Sequence, residues 1–113
     1  MIDKFVKLCN NRQMQERTEY PLKLTINGRS VSRVIIDQHY RIAHSDIDDA
    51  LILKLVMELN LGNYPIENEK DGFEYFVVEP VIHDDKPYRL VLLLCVHDDF
   101  LGVVNAFRVR RRK

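Results

Sequence analysis

The sequence predicts an α+β fold in which two helices pack on one face of an antiparallel sheet, within a single domain spanning residues 1–113. Three observations support this prediction: apolar residues at helical spacing near the N-terminus, an Asn-Gly turn between two alternating segments, and three apolar runs separated by short polar linkers. The predicted order is an N-terminal helix, a β-hairpin, a capped central helix and a three-stranded antiparallel meander.

The N-terminal helix is predicted over residues 3–17, because the apolar residues recur at i, i+3, i+4 and i+7 and the charged residues fall elsewhere. The apolar positions are Ile2, Phe5, Val6 and Cys9. A hairpin follows, with Asn27 and Gly28 between two alternating segments. This dipeptide predicts a type I′ turn, since both central residues of such a turn need a positive φ.

The central helix is predicted to begin at Ser45, after a polar segment over residues 37–44 that is expected to form a short helical turn. Ser45 and Asp48 resemble a capping box, and acidic residues suit the positive end of a helix. The sequence Asn-Leu-Gly at residues 60–62 is typical of a helix end. The predicted core stripe consists of Ile47, Leu51, Leu55 and Leu59.

Three strands are predicted over residues 72–83, 88–97 and 101–111. Their short linkers predict antiparallel neighbours. Because the helices are expected on one face of this meander, the other face is expected to be an open platform.

Composition limits the classes of function. The chain has 17 Lys and Arg residues and 17 Asp and Glu residues, so no global charge attracts nucleic acid. Five of the six residues 108–113 are basic, and this patch is either a phosphate-binding surface or a solvated tail. Cys9 and Cys95 are expected to be buried thiols in a reducing compartment. No apolar run has membrane-spanning length and no signal peptide is recognisable, so a cytoplasmic protein without a membrane partner is expected.

The segment around His39 and His44 is the first candidate for chemistry, because Tyr40 and Arg41 lie within it and imidazole can act as acid or base near neutral pH. Two other interpretations stay open. The histidines can shape the entry to the helix, or they can bind a metal with Asp37 or Asp46, although their spacing is not that of a helical zinc pair. His83 and His97 are interpreted as turn residues.

Three polar residues interrupt the apolar strands near the C-terminus: Arg89, Asn105 and Arg108. A buried polar group costs free energy unless it is paired, so these residues indicate a structural network or a functional surface. Arginine suits phosphate oxygens, but pairing with Glu74, Glu79 or the aspartates is the alternative. Strand alternation puts Asn105 and Arg108 on opposite faces unless a bulge intervenes.

The histidine segment before the helix, the meander and the last strand, Gly-Val-Val-Asn-Ala-Phe-Arg, resemble the superfamily of small RNases and toxins that includes barnase, EndoU, the colicin tRNases and RelE. The resemblance covers residues 34–110 and is greatest to the phage and polymorphic-toxin members. It implies an endoribonuclease that needs no metal or other cofactor. RNA (tRNA, rRNA or mRNA) is the implied substrate, and an antitoxin or immunity protein is a possible partner.

Applied residue by residue, the resemblance implies that His39 and His44 are the candidates for base and acid, in either order, while Arg89 and Arg108 stabilise charge on the phosphate. The implied substrate-binding residues are Tyr40, Arg41, Tyr88, Asn105 and Arg110. The alternative is a non-catalytic module of the same fold that binds protein or RNA through the open sheet face.

Overall fold

The computed structural model describes residues 17–38, 40 and 46–109. Within them the chain forms six strands and one helix: β1 (Arg17–Ile26), β2 (Arg29–Asp37), α1 (Asp49–Met57), β3 (Asn68–Lys70), β4 (Phe73–His83), β5 (Lys86–Cys95) and β6 (Phe100–Arg108). The predicted N-terminal helix lies outside the described residues except for Arg17. That residue begins β1 instead of ending a helix.

The described strands form a six-stranded mixed sheet in the order β1-β2-β6-β5-β4-β3. Strands β2 and β6 run parallel, with residues 33–36 opposite residues 100–103, and the other neighbours are antiparallel. The predicted α+β fold with helices on a three-stranded meander is therefore wrong. The hairpin belongs to the same sheet as the meander, and the described part contains a single short helix. Local patterns did not reveal this because the parallel pair joins segments far apart in sequence.

Two turns whose residues have positive φ join neighbouring antiparallel strands of the sheet. Asn27 and Gly28 have φ values of 54° and 75°, which confirms the predicted hairpin turn. Asp71 and Gly72 form a second turn with positive φ and join β3 to β4. Strand β3 was not predicted because its three residues, Asn-Glu-Lys, are all exposed and carry no apolar alternation.

Helix α1 begins later and ends earlier than predicted. Asp48 is its N-cap, and the Asp48 carboxylate accepts a hydrogen bond from the Leu51 backbone N–H at 2.9 Å. Ser45, the predicted cap, lies outside the described residues. At the other end the Leu61 N–H donates to the Thr25 carbonyl at 2.6 Å. The helix therefore runs back from the end of β2 towards the hairpin turn.

Two apolar clusters bury the two faces of the sheet. The helix-side cluster includes Ile52, Leu55 and Val56 of α1 and reaches every strand except β3. The second cluster, on the face away from the helix, consists of Ile35, Phe73, Leu93, Cys95, Phe100 and Val104, which are all buried. The centre of that face is therefore not the open platform that the sequence led us to expect.

Candidate functional site

The candidate site lies at the end of the sheet towards which both β2 and β6 run, hereafter the C-terminal sheet end. In the parallel pair Ile36 lies opposite Val103, so β2 stops at Asp37 while β6 continues to Arg108. The segment that follows β2 therefore starts beside the last half of β6. Parallel pairing thus places residues that are distant in sequence at one end of the sheet.

A buried carboxylate occupies the helix side of this end. Asp49 is 8% exposed and accepts hydrogen bonds from the hydroxyls of Tyr20 (2.6 Å) and Tyr40 (2.7 Å). The Gln38 side-chain amide donates to both carboxylate oxygens, at 2.9 and 3.1 Å. These donors satisfy a group whose burial would otherwise be costly. We call Asp49, Tyr20, Gln38 and Tyr40 the Asp49 cluster.

Asp49 is not among the site residues predicted from the sequence, although the sequence carries a signal for it. Asp49 precedes Ile52 by three residues and Val56 by seven, so it lies on the apolar face of the helix. An acidic residue in an apolar stripe is either partnered or functional. Tyr40, which the sequence suggested as a substrate contact, is 2% exposed and belongs to the helix-side core.

Arg89 lies on the opposite face of the sheet and is paired. Its guanidinium donates to Glu79 Oε1 at 2.7 Å, and its Cζ lies 5.9 Å from the centroid of the Phe107 ring. The Arg89 and Glu79 side chains are 40% and 35% exposed, so water reaches both. An ion pair this exposed contributes at most about 1 kcal/mol. A phosphate group can therefore compete with Glu79 for Arg89.

A bulge in β6 determines the faces of Asn105 and Arg108. Leu92 lies opposite Val103 and Val91 lies opposite Asn105. Strand β6 therefore has one extra residue, Val104, between these two pairs. Arg89 and Asn105 therefore share the face away from the helix. Arg108 lies opposite Tyr88, a member of the helix-side cluster. Asn105 and Arg108 remain on opposite faces despite the bulge.

The remaining predicted site residues divide into two groups. Tyr88 is 6% exposed, and its ring packs in the helix-side core. His39, Arg41, His44 and Arg110 lie outside the described residues. The described residues that flank the histidines are held at the C-terminal sheet end, since Gln38 and Tyr40 bond to Asp49 and Ile47 is buried in the core.

The other end of the sheet carries an ionic cluster that the sequence did not suggest. Arg33 on β2 contacts Asp98 at 2.7 Å, Asp99 at 3.3 Å and Glu19 at 3.4 Å. The hydrogen bond to Asp98 is the main reason that the pKa of Arg33 is raised. The Ser32 hydroxyl donates to Asp99 and makes the largest contribution to lowering the pKa of that carboxyl. His97 also lies near this end, in the turn between β5 and β6.

In the described ranges, no three His, Cys, Asp or Glu side chains are grouped so that they could hold a metal ion. The helix found there is neither long enough nor apolar enough to cross a membrane. Comparison of the chain with protein-family models, curated proteins and solved structures gave no match.

Proposed function

We propose that this protein is a metal-independent endoribonuclease, similar to the barnase, EndoU, colicin and RelE superfamily. The observation that supports this proposal best is the parallel pairing of β2 with β6. Because of this pairing, the residues flanking the histidine segment lie at the sheet end to which Arg89, Asn105 and Arg108 belong. A phosphodiester bound at this sheet end would be near one of these two arginines.

In the proposed reaction, one of His39 and His44 takes the proton of the ribose 2′-hydroxyl. The resulting oxygen nucleophile attacks the adjacent phosphorus and forms a 2′,3′-cyclic phosphate. The other histidine donates a proton to the 5′-oxygen that leaves. Arg89 and Arg108 lie on opposite faces of the sheet, so the charge that develops on the phosphate oxygens would be stabilised by one of them, Arg89 on the face away from the helix or Arg108 on the helix side. No cofactor takes part in this scheme.

Substrate binding is expected to depend on local rather than global charge, because the chain is neutral as a whole. Arg41 and Arg110 would add phosphate contacts, and Asn105 would donate hydrogen bonds to the substrate from the face that it shares with Arg89. RNA in the form of tRNA, rRNA or mRNA is the proposed substrate. A toxin or effector role, an antitoxin or immunity protein as partner, and a cytoplasmic location belong to the same proposal.

The proposal is tested by RNA cleavage in the presence of EDTA, comparing wild type with His39→Ala and His44→Ala. Loss of a general acid or base lowers the rate by roughly 10²- to 10⁴-fold. His97→Ala is the matched control, because this imidazole lies near the opposite end of the sheet. Arg108→Ala is expected to lower the rate as well. Circular dichroism establishes that each variant is folded.

Three results would overturn the proposal. Pure wild-type protein that cleaves none of the three RNA classes would exclude it, as would a His97→Ala loss equal to that of the other two histidine variants. Cleavage that EDTA alone abolishes would indicate a metal-dependent hydrolase instead.

A second candidate function is a non-catalytic module that binds RNA or protein. It is favoured by the pairing of Arg89 with Glu79 and by the burial of Tyr40 and Tyr88, which make these side chains part of the packing. In that case wild type would retain RNA in a mobility-shift assay without cutting it.

A further inference from the structure

A half-exposed patch lies at the C-terminal sheet end, on the face away from the helix. Arg89 lies opposite Phe107 on β6, and two residues further along β5 Val91 lies opposite Asn105. The Glu79 carboxylate reaches this place from β4 through its bond to Arg89. We propose that the patch binds one nucleotide of a single-stranded RNA, with the phosphate on Arg89 and the base on Phe107.

The Arg89 patch, as we call it hereafter, consists of Glu79, Arg89, Asn105 and Phe107. The inference rests on the proposed function for its choice of ligand and adds two roles to it. Phe107 becomes the residue that stacks on a base, and Glu79 becomes a competitor of the bound phosphate.

The spacing of the patch suits a single nucleotide. Side chains on neighbouring strands are about 5 Å apart, and those of alternate residues on one strand are about 7 Å apart. Arg89 and Phe107 are neighbours across strands, and Phe107 and Asn105 are alternate residues of β6. One nucleotide can therefore place its phosphate on the guanidinium and its base on the ring while the base edge reaches the Asn105 amide.

Phe107 offers a fixed aromatic surface. Part of its ring packs against the helix-side cluster, which holds the ring in place, and the residue as a whole is only half-buried. Asn105 Oδ1 accepts from the Ala106 N–H at 2.9 Å, so Asn105 presents its Nδ2 group as a donor to a ligand. Unpaired bases stack on aromatic side chains and form hydrogen bonds through their edges. A duplex hides the faces of its bases, so the patch is expected to select single strands.

A second arginine–phenylalanine contact shows how a closed version of this arrangement looks. Arg33 Cζ lies 5.4 Å from the centroid of the Phe100 ring, close to the 5.9 Å between Arg89 Cζ and the Phe107 ring. However, Phe100 is 2% exposed, and Arg33 contacts three carboxylates. In the Arg89 patch the ring is accessible, and one carboxylate of the described residues pairs with the guanidinium. The Arg89 patch is therefore the open one of the two contacts.

The Glu79 carboxylate occupies the place where a phosphate oxygen would bind. Its Oε1 accepts from Arg89 at 2.7 Å, and both side chains are exposed to water. Such an exposed pair is weak, whereas a phosphate offers several oxygens to the planar guanidinium. A nucleotide must displace Glu79, so removal of the Glu79 charge is expected to strengthen binding. A salt bridge that serves stability alone gives no reason for such a gain.

The test uses a fluorescein-labelled, single-stranded 2′-O-methyl RNA of mixed sequence, which cannot be cleaved through its 2′-oxygen. Its Kd is measured by fluorescence anisotropy. Arg89→Gln is expected to weaken binding roughly tenfold, because a charged hydrogen-bond donor is lost. Phe107→Leu is expected to weaken it roughly tenfold as well, while Phe107→Tyr, which keeps a ring, is expected to bind like wild type. Glu79→Gln is expected to tighten binding about twofold to fivefold.

Glu74→Gln is the matched control for Glu79→Gln. Glu74 pairs with Arg29 at 3.2 Å, and its neighbours Phe73 and Tyr75 belong to the packing of the second cluster. Strand alternation therefore puts Glu74 on the helix side. This variant releases an arginine outside the patch and is expected to leave the Kd within about twofold of wild type.

Thermal unfolding establishes that each variant is folded. The inference is overturned if Glu79→Gln binds no more tightly than wild type, if folded Phe107→Leu binds equally well, or if a duplex of the same length binds as tightly as the single strand. Should Phe107→Leu fail to fold, the surface variant Glu79→Gln still decides the matter.

Binding of the uncleavable probe also separates this inference from the proposed function. If the variants of the Arg89 patch change the Kd as expected while wild type cleaves no RNA, the nucleotide site holds and the endoribonuclease proposal fails. If wild type cleaves RNA while these variants leave the Kd unchanged, the nucleotide site fails and the endoribonuclease proposal stands.

Discussion

Five described residues other than glycine have a positive φ, and they differ in how well they tolerate it. Four are Asn or Asp, which adopt the left-handed conformation at low cost: Asn27, Asp71, Asp84 and Asp85. The fifth is Leu61, which has a φ of 71° and is 76% exposed. Gly62 follows it, and a Cβ atom there would clash with the Tyr64 ring. The left-handed residue of this turn is therefore a leucine, and the glycine serves close packing.

Leu61→Gly is expected to stabilise the protein. A left-handed L-residue costs about 1–2 kcal/mol, and the greater freedom of glycine in the unfolded chain cancels about 0.5–1 kcal/mol of the gain. The free energy of unfolding should therefore rise by up to about 1.5 kcal/mol, measured by urea denaturation. Leu61→Ala is the control, because it removes the exposed side chain but keeps the Cβ atom. If alanine stabilised as much as glycine, backbone conformation would not be the cause.

At the scale of the elements, the parallel pair between β2 and β6 is short, and side-chain contacts stabilise it. The backbone N–H of Ser32 donates to the Asp99 carbonyl at 2.9 Å, and the Ser32 hydroxyl donates to the Asp99 carboxylate. Arg33 contacts the same turn through Asp98 and Asp99 and stacks over Phe100, 5.4 Å from its ring centroid. These contacts join the turn between β5 and β6 to the edge of the hairpin.

The contacts of Asp99 with Ser32 and Arg33, hereafter the Asp99 junction, are expected to make the free energy of unfolding depend on pH. The Ser32 hydroxyl first, and Arg33 in addition, hold the pKa of Asp99 below the usual aspartate value. The ionised carboxylate therefore stabilises the folded protein above that usual value, and the contribution is lost as the pH falls through the lowered pKa. Asp99→Asn should be less stable than wild type at pH 7 and should lose less stability between about pH 5 and pH 2.

The measurement is chemical denaturation at a series of pH values. Asp85→Asn is the control, since Asp85 is an exposed aspartate in a different turn and asparagine tolerates its φ of 65°. Equal pH profiles for wild type and Asp99→Asn would show that the Asp99 junction does not contribute.

Elements that neighbouring residues encode could be predicted from the sequence, whereas the pairing of distant segments could not. The Asn27-Gly28 turn and the meander are encoded by neighbouring residues, and both were predicted. The parallel pairing depends on contacts between residues 33–36 and 100–103, for which no turn or spacing gives evidence. The bulge before Asn105 could not be predicted from the sequence either, because Val103, Val104 and Asn105 are compatible with both a regular and a bulged strand.

At the scale of the whole molecule, the candidate site depends on the topology more than on any motif. Alternation along β5 already groups Tyr88 with Leu90 and Leu92, and all three are in the helix-side core. The burial of Tyr88 could therefore be predicted from the sequence, and its implied role in substrate binding conflicts with that pattern. By contrast, the pairing that puts the β2 terminus beside the second half of β6 required knowledge of the sheet order.

One core connects the two halves of the sheet, so we expect them to unfold together. The helix-side cluster contains Val34 and Ile36 of the hairpin together with Leu92 and Leu94 of the meander. Amide hydrogen exchange should therefore give β2 and β5 the same free energy of opening, within about 0.5 kcal/mol. Strand β3 should exchange faster, because its residues are exposed at the sheet edge. A lower opening free energy for β1 and β2 than for β4 to β6 would mean that the parallel junction separates before the core does.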